Sequence, residues 1–428
     1  MSILVVHGKN LSRRRHLARV HAFGREHGQR VLLLMKNPSW ESEHADRVVT
    51  VDTSVLGDTL AAAVRLRDEE SEPIRAVVTF SERLVPAAAR IAAELGLPYV
   101  SEHTAHIARD KYAMREAVAA AGGVLQPRYG LARSLPEARE LAGRFGYPLI
   151  LKPVIGTGSM YVRCVADDAE LAEHFEFLRA ESWDASDQDP LYRAAHEEYG
   201  GALLVEEFVP GTEICIESLV HRGETRVVAI HDKPLPTGPT FEEVYACTPT
   251  RLPADLVRTI TDATAAVHRA MGIEIGPTHV EFRLRDEREP VLLEAAARMG
   301  GGPIYRSVQL SLGIDLVEAA LEQALGGEPR LEPATAPRPV GFWNIFPEQP
   351  GVLTAVHGVE EAAADPRIDE FEIYREIGEY LKVPPQTFQG HGHLIFTVDE
   401  VDQLDGVFAE LTKTVRLDTA PAGRDGAP

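Results

Sequence analysis

Thr278-His279-Val280-Glu281-Phe282-Arg283-Leu284, the charged stretch 285–290 and Val291-Leu292-Leu293-Glu294-Ala295 read together as a β-hairpin, because two apolar runs flank a turn rich in charge. A turn centred between Glu287 and Arg288 sets Glu281 directly opposite Glu294. Directly opposed residues have Cβ atoms roughly 4.5–5.5 Å apart, and like charges at that range repel. A hairpin that keeps both glutamates therefore needs something cationic between them. A hard divalent ion bound through oxygens, Mg²⁺ shared with substrate phosphates, meets that need. The plainer alternative is a solvent-facing hairpin with two unrelated glutamates, and spacing alone leaves it open.

Arg298 follows Glu294 by four positions and leads into Met299-Gly300-Gly301-Gly302, a backbone able to approach a ligand closely. Its guanidinium suits negative charge developing on a transferred phosphoryl group or a tetrahedral centre. Upstream, Tyr147-Pro148-Leu149-Ile150-Leu151-Lys152-Pro153 puts Lys152 at the end of a buried strand, where an unpaired ammonium is costly and an anionic partner is required. The loop Gly156-Thr157-Gly158-Ser159 has the flexibility and N–H groups to fold over phosphates. No GKS or GKT follows, so it is not a Walker A loop. Lys111, in Arg109-Asp110-Lys111-Tyr112, is a second cation that can reach the same phosphates, a solvated lysine at a helix start being its plainer reading. Leu203-Leu204-Val205-Glu206-Glu207-Phe208-Val209-Pro210-Gly211 reads as a strand entering an extended linker. Backbone in such a linker can read an adenine edge, and Glu213 beyond it can accept from ribose hydroxyls; alone, the segment is an ordinary strand and turn.

The first hundred residues alternate β-branched runs (3–6, 31–34, 48–51, 76–79) with helical stretches (14–26, 60–67, 86–95), which implies a small parallel α/β sheet. Gly8-Lys9-Asn10 lacks the GxGxxG fingerprint, so no dinucleotide site is expected there, and Arg13-Arg14-Arg15 reads as a solvated helix start. A second region opens near Thr104 with a helix that Gly122-Gly123 stops. Ser134-Leu135-Pro136-Glu137 is a capping box for a helix to about 144, strands follow at 149–152 and 161–165, and the acidic segment 181–200 reads as a surface insertion. Strands dominate 203–295, interrupted by a helix over 254–271. A Pro-rich linker at 332–339 precedes a strand and helix mixture, and 417–428 reads as a disordered tail. The expected units are thus 1–103, 104–200, 201–331 and 332–416, then the tail.

The chain has 428 residues, 44% hydrophobic and 25% charged, as an ordinary globular enzyme of two to four subdomains does. A formal charge of −21 disfavours nucleic acid and anionic membrane as partners. Cys164, Cys215 and Cys247 show no CxxC or zinc spacing and read as buried thiols in a reducing cytosol. No signal peptide or membrane span is legible, so a cytoplasmic location is expected.

In this order the segments resemble the ATP-grasp superfamily, and within it the carboxylate–amine ligases, particularly L-amino acid ligases. The likeness covers about residues 1–420 and rests on Asp110-Lys111, Lys152-Pro153 with its glycine loop, Glu206-Glu207-Phe208 with Pro210-Gly211 and Glu213, the Glu281 and Glu294 pair, and Arg298 with its glycines. It implies an ATP-grasp fold of α/β and α+β parts, with a Rossmann-like parallel N-terminal sheet and an α+β C-terminal region. It also implies that Lys111, Lys152, Gly156, Gly158 and Ser159 bind ATP phosphates. Glu206, Glu207, Phe208, Val209 and Glu213 would bind the nucleoside, and Glu281 and Glu294 two Mg²⁺ ions, with Mn²⁺ as a possible substitute. Lys152 and Arg298 would be catalytic, with Arg298, Gly300, Gly301, Lys233 and Glu243 lining the substrate cavity and Glu243 receiving an amino group. One departure stands out: the family's metal strand commonly reads Glu-Ile-Asn-x-Arg, and here Ala296 occupies the asparagine position.

The activity implied is amide or peptide bond formation through an acyl phosphate, with ADP and phosphate released, from an amino acid as carboxylate and a second amine. A homodimer is the usual form in such a family. Rival readings are a formate-activating transferase of purine synthesis, a biotin-carboxylase-like enzyme, or a non-catalytic nucleotide-binding protein. The identity of the two substrates is not legible in the chain.

Overall fold

A computed structural model describes residues 1–235, 238–333, 336–387 and 390–421. The β-branched runs of the first hundred residues form the strands Ser2–Val6, Arg30–Met35, Arg47–Thr50 and Ile74–Val78. They pair in parallel, in the spatial order third, second, first, fourth. Ser2–Val6 is buried along its whole length, as a central parallel strand covered on both faces must be. The direction in which successive strands are added reverses between the first and fourth strands, which opens a crevice at their carboxyl ends.

A second sheet is antiparallel, with Leu203–Glu207 between Tyr129–Ala132 and Leu149–Pro153, and Arg163–Val165 outermost. Leu149, Leu151, Leu203 and Val205 are fully buried and pack with residues of the helices Leu135–Phe145 and Asp168–Asp184. The Ser134 side chain accepts from the Glu137 N–H, so the helix opens where the sequence placed it, but the reciprocal half of the expected capping box is replaced: the Glu137 carboxylate accepts from the Arg133 N–H at 2.8 Å.

The third sheet has eight strands and runs from Glu289–Ala296 through Gly276–Arg285, Thr212–His221, Glu224–Leu235 and Tyr245–Thr248 to Val340–Ile345, Gly392–Thr397 and Ile368–Ile373. The C-terminal strands thus extend the sheet that carries the hairpin rather than forming a wholly separate layer, because Val340–Ile345 pairs with Tyr245–Thr248. A small sheet of Tyr380–Leu381, Gly351–His357 and Arg416–Ala420 completes the region. Residues 417–420 of the expected tail are therefore strand, paired along Gly351–His357, and Leu417 is buried in that region's core. Residues 422–428 lie outside the described residues.

Segment 181–200 is not a simple surface insertion. Its helix Tyr192–Tyr199 packs by Ala195 and Tyr199 against Val154 and Ile155. Buried Asp189 accepts from Arg109 at 2.6 Å, and the Tyr199 hydroxyl donates to Asp110 at 2.6 Å. The acidic composition hid this because its few inward carboxylates are neutralised by residues far away in sequence.

The hairpin has the expected glutamate pair for a reason the pattern did not contain. Its turn is one residue shorter than a centre between Glu287 and Arg288 demands: Arg285 pairs with Glu289, and Asp286 and Glu287 adopt left-handed φ values of 52° and 53°. Continued unchanged, that register would bring Leu293 opposite Glu281 and turn Glu294 to the other face. A bulge intervenes, so that Phe282 pairs with Leu292 while Glu281 pairs with Glu294, and Leu293 is the extra residue.

His7, His231 and His268 are buried, and burial brings the pKa of each down to about 4. An unfolded chain takes up these protons near pH 6.5. The contribution of these histidines to stability is therefore full above pH 6.5 and is lost as the pH falls toward 4. Thermal unfolding midpoints should drop steadily on acidification from pH 6.5 to 5, with net proton uptake on unfolding; a midpoint that rises over that interval contradicts the assignment.

Candidate active site

Glu281 and Glu294 project from adjacent strands into the same space, and each is met by a lysine from a different element. Lys233 Nζ, on Glu224–Leu235, lies 2.9 Å from Glu281, and Lys111 Nζ, at the start of the helix Lys111–Ala121, lies 2.9 Å from Glu294. Lys233 also pairs with Glu213 at 2.7 Å. His279 adds a further cation: its Nδ1 meets buried Glu217 at 2.5 Å and its Nε2 meets Glu281 at 3.3 Å. Burial opposes the charge on His279, but Glu217 and Glu281 outweigh it and lift its pKa to about 9. Burial likewise works against the Glu281 carboxylate, yet Lys233 and His279 hold it well below the usual range.

Two cavities meet at this pair. A narrow cleft of about 80 Å³ is walled by Lys111, Lys152, Glu206, Glu207, Phe208, Val209 and Glu213. A larger one of about 590 Å³ is walled by Thr157, Gly158, Lys233, Glu243, Arg298, Gly301 and Gly302, and reaches across to Lys9, Arg13, Lys36 and Glu82 of the N-terminal sheet. Ser159, Glu281 and Glu294 stand in the walls of both. The larger cavity therefore lies over the carboxyl ends of the parallel strands, at the crevice where their order reverses.

Lys152 is buried and pairs with Glu206 at 2.7 Å, the anionic partner that its strand position demanded. Burial brings its pKa down to about 8 against the pull of Glu206. Glu206 also accepts from Arg115 at 2.7 and 3.3 Å, so both its oxygens are engaged in holding cations in the floor of the cleft. Arg298 is half-buried, pairs with Glu82 through Nη2 and donates to the Met299 carbonyl at 2.9 Å. Glu82 reaches a second arginine, Arg109, at 3.4 Å, and Arg109 in turn donates to the Gly156 carbonyl at 3.0 Å.

Three models of known domains match the chain in order: ATP-grasp N-terminal domain over 24–99, ATP-grasp domain over 145–306, and L-amino acid ligase C-terminal domain 2 over 344–420. The chain belongs to the ATP-grasp superfamily. An uncharacterized protein of Sinorhizobium fredii is 29% identical over 76% of this chain and 64% of its own length. The alanine–anticapsin ligase of Bacillus subtilis is 31% identical over 58% of this chain and 53% of its own. The chain thus spans between half and two thirds of the length of these two relatives. The solved structure of an L-amino acid ligase from Bacillus licheniformis superposes with a TM-score of 0.80 at 22% identity, covering 98% of each chain, and shares the fold.

Within this ATP-grasp chain the structure brings most of the expected site residues to one place, with exceptions. Gly156 and Gly300 stand in neither cavity wall. The Gly156 carbonyl serves Arg109, and the Gly300 N–H donates to Glu217 at 2.9 Å. Arg13, expected in solvent, is 5% exposed and faces the larger cavity, while Arg14 and Arg15 pair with Glu372 and Glu370 at the surface. Lys111 is buried rather than solvated. Of the three cysteines, Cys215 and Cys247 are buried and Cys164 is partly exposed. No helix among the described residues is long and apolar enough to cross a membrane.

Glu82, Arg13, Arg109, Arg115, Glu217 and His279 were not expected in the site. For Arg13 and Glu82 a signal existed: each follows a strand of the parallel sheet on either side of the order reversal, where ligands of such sheets bind. For Glu217 and Arg115 there was none, since each reads as an ordinary strand or helix residue.

Gly300 illustrates how tightly this ring is closed. A Cβ there would lie 2.5 Å from Glu217 Oε1 and 2.7 Å from the Ile304 side chain. Glu217 cannot retreat without leaving His279, so Gly300→Ala should cost about 1–3 kcal/mol of stability. Denaturant unfolding measures this, and a variant as stable as the parent would show that the ring has slack.

Proposed function

We propose that this chain is an ATP-dependent carboxylate–amine ligase that releases ADP and phosphate, and specifically an L-amino acid ligase. The observation that supports this best is the carboxylate pair Glu281 and Glu294, which stands in the walls of both the narrow cleft and the larger cavity. A reactant in each would meet at Glu281 and Glu294.

Unaided, a carboxylate does not accept an amine at neutral pH, because its oxide is a poor leaving group. Attack by a carboxylate oxygen on the γ-phosphorus of ATP forms a phosphorus–oxygen bond, breaks the bond to the β-phosphate oxygen and expels ADP. The amine nitrogen then attacks the acyl carbon, the carbon–oxygen bond breaks, phosphate leaves with its electron pair, and the nitrogen gives up a proton.

The residues suit these demands. Lys111 and Lys152 present ammonium groups to phosphates in the cleft, Phe208 and Val209 offer backbone to a base, and Glu207 and Glu213 stand beside them. The loop carrying Gly158 and Ser159 covers the junction and would keep water from the acyl phosphate. Arg298 would neutralise the two anions as they approach and the oxyanion as it forms. Glu243, half-buried in the cavity wall, offers a carboxylate to the ammonium of the donor amino acid. Facing oxygens of Glu281 and Glu294 suit a hard divalent ion, since each carboxylate already carries a cation at 2.9 Å that phosphates can draw away. Bound there, Mg²⁺ would supply charge neutralisation between the phosphates and the carboxylates. Ala296 contributes no ligand atom to a second ion, so one of two ions would rely on water there.

A phosphate-release screen of amino acids singly and in pairs, with mass spectrometry of products, tests the reading. ADP and an amide are expected, and AMP with pyrophosphate would overturn the chemistry. Glu294→Gln should lower ADP formation by about three orders of magnitude or more while leaving the thermal midpoint near that of the parent. Full activity in that variant would remove Glu294 from the metal role.

A further inference from the structure

Burying a cation without an anion is costly, so a protein that does it is holding the place of a ligand. Arg13 is such a cation. It is 5% exposed, and its Nη1 donates to the Gly300 carbonyl at 2.8 Å and meets the His16 ring at 3.1 Å. His16 is neutral, because burial and then Arg13 itself hold its pKa well below 6.5. Nε of Arg13 is buried with no partner at all. Arg13 forms no ion pair within 4 Å among the described residues, in contrast to Arg298, which Glu82 neutralises in the same cavity; Glu217, Glu82 and Glu243 favour its charge only from farther away. Burial, with Arg298 adding to it, brings the Arg13 pKa down to about 9, so the group still carries its charge at neutral pH.

Where Arg13 stands limits what it can bind. It is absent from the walls of the narrow cleft, where Lys111 and Lys152, the lysines assigned to ATP phosphates, stand. It lies in the wall of the larger cavity, on the short helical turn Leu11–Arg13 that follows the strand Ser2–Val6 at the order reversal of the parallel sheet. Its contact is Gly300, two residues beyond Arg298, so an anion on Arg13 sits next to the reacting centre without being the carboxylate under activation. The cavity also holds Glu243, whose carboxylate makes no ion pair or hydrogen bond among the described residues, only its backbone carbonyl accepting from Asn344 at 2.9 Å. Glu243 and Arg13 thus line the same space with no ion pair to either, as exposed Lys9 does at its rim.

We infer that Arg13 holds the unreacting carboxylate of the amine substrate, so that the acceptor is an amine bearing an acid group and its nitrogen is pointed at the acyl carbon. This rests on the ligase reading above and assigns the second substrate's recognition to the N-terminal sheet. With Glu243 taking the donor's ammonium and Arg13 the acceptor's carboxylate, the two charges give the amide bond its direction. A donor in the acceptor's place would set its ammonium against a guanidinium.

Kinetics on the full chain test this, using glycine and L-alanine as acceptors against glycinamide and L-alaninamide, with each of the twenty amino acids as donor. The parent should prefer each acid over its amide by roughly 30- to 100-fold in KM, the usual worth of a charge-assisted pair. In Arg13→Gln that ratio should fall to near one through a higher KM for the acid, with KM for ATP and for the donor changed less than about twofold. Arg13→Lys should recover part of the preference, and it carries the test should Arg13→Gln melt before assay. If the ratio persists in a folded variant, or the loss falls on ATP or the donor, Arg13 does not read the acceptor. Failure of the parent to make an amide from any pair instead sinks the ligase reading, and this inference with it.

Discussion

Two carboxylates forced to face each other across neighbouring strands are the constraint on which the site is built. At about 5 Å and an effective dielectric near 20, two unit charges repel by roughly 3 kcal/mol, a large fraction of what holds a domain together. The chain offsets that repulsion with Lys111 and Lys233, brought from a helix and a strand outside the hairpin. Both lysines are therefore placed by the glutamates as much as by their own elements. On the proposed function, anionic phosphates entering from the cleft would compete for the lysines and a divalent ion for the glutamates, so the ligand-free pairs have the charges that the loaded site would redistribute.

Around this pair the buried charges are linked rather than isolated. Glu82 connects Arg298, two residues past the hairpin, to Arg109, and Arg109 connects onward to Asp189 and to the glycine loop at Gly156. Glu217 similarly joins His279 to the Gly300 backbone. Removing one member of a buried pair leaves the other charge uncompensated, which typically costs 3–5 kcal/mol. Such a network holds the N-terminal sheet, the glycine loop and the hairpin in one arrangement. The cavity is consequently bounded by side chains with little freedom, which suits a reaction that must orient two small molecules and exclude water.

Most of the architecture was legible because it rests on local patterns. The β-branched runs of the parallel sheet, the N-cap at Ser134 and the helix over 254–271 each carry their period or cap in adjacent residues. Lys152 could be read as needing an anion from burial alone, and its partner Glu206 stood in a segment already singled out. Segment 181–200 and the end of the chain were misread for the opposite reason. Acidic or proline-rich composition suggests solvent, whereas Asp189, Tyr199 and Leu417 are claimed by partners remote in sequence.

The hairpin shows where the division falls. Residue order by itself determined that two apolar strands would flank a charged turn with a glutamate on each, since alternation and turn chemistry act over a few bonds. Whether those glutamates share a face was decided only by the tertiary structure: a short turn shifts the register one way and the bulge at Leu293 shifts it back. The same holds for Arg13, whose triplet of arginines looks solvated until the larger cavity and Gly300 close over its first member. Burial and charge pairing depend on distances between elements far apart along the chain, and those exist only once the sheets have packed.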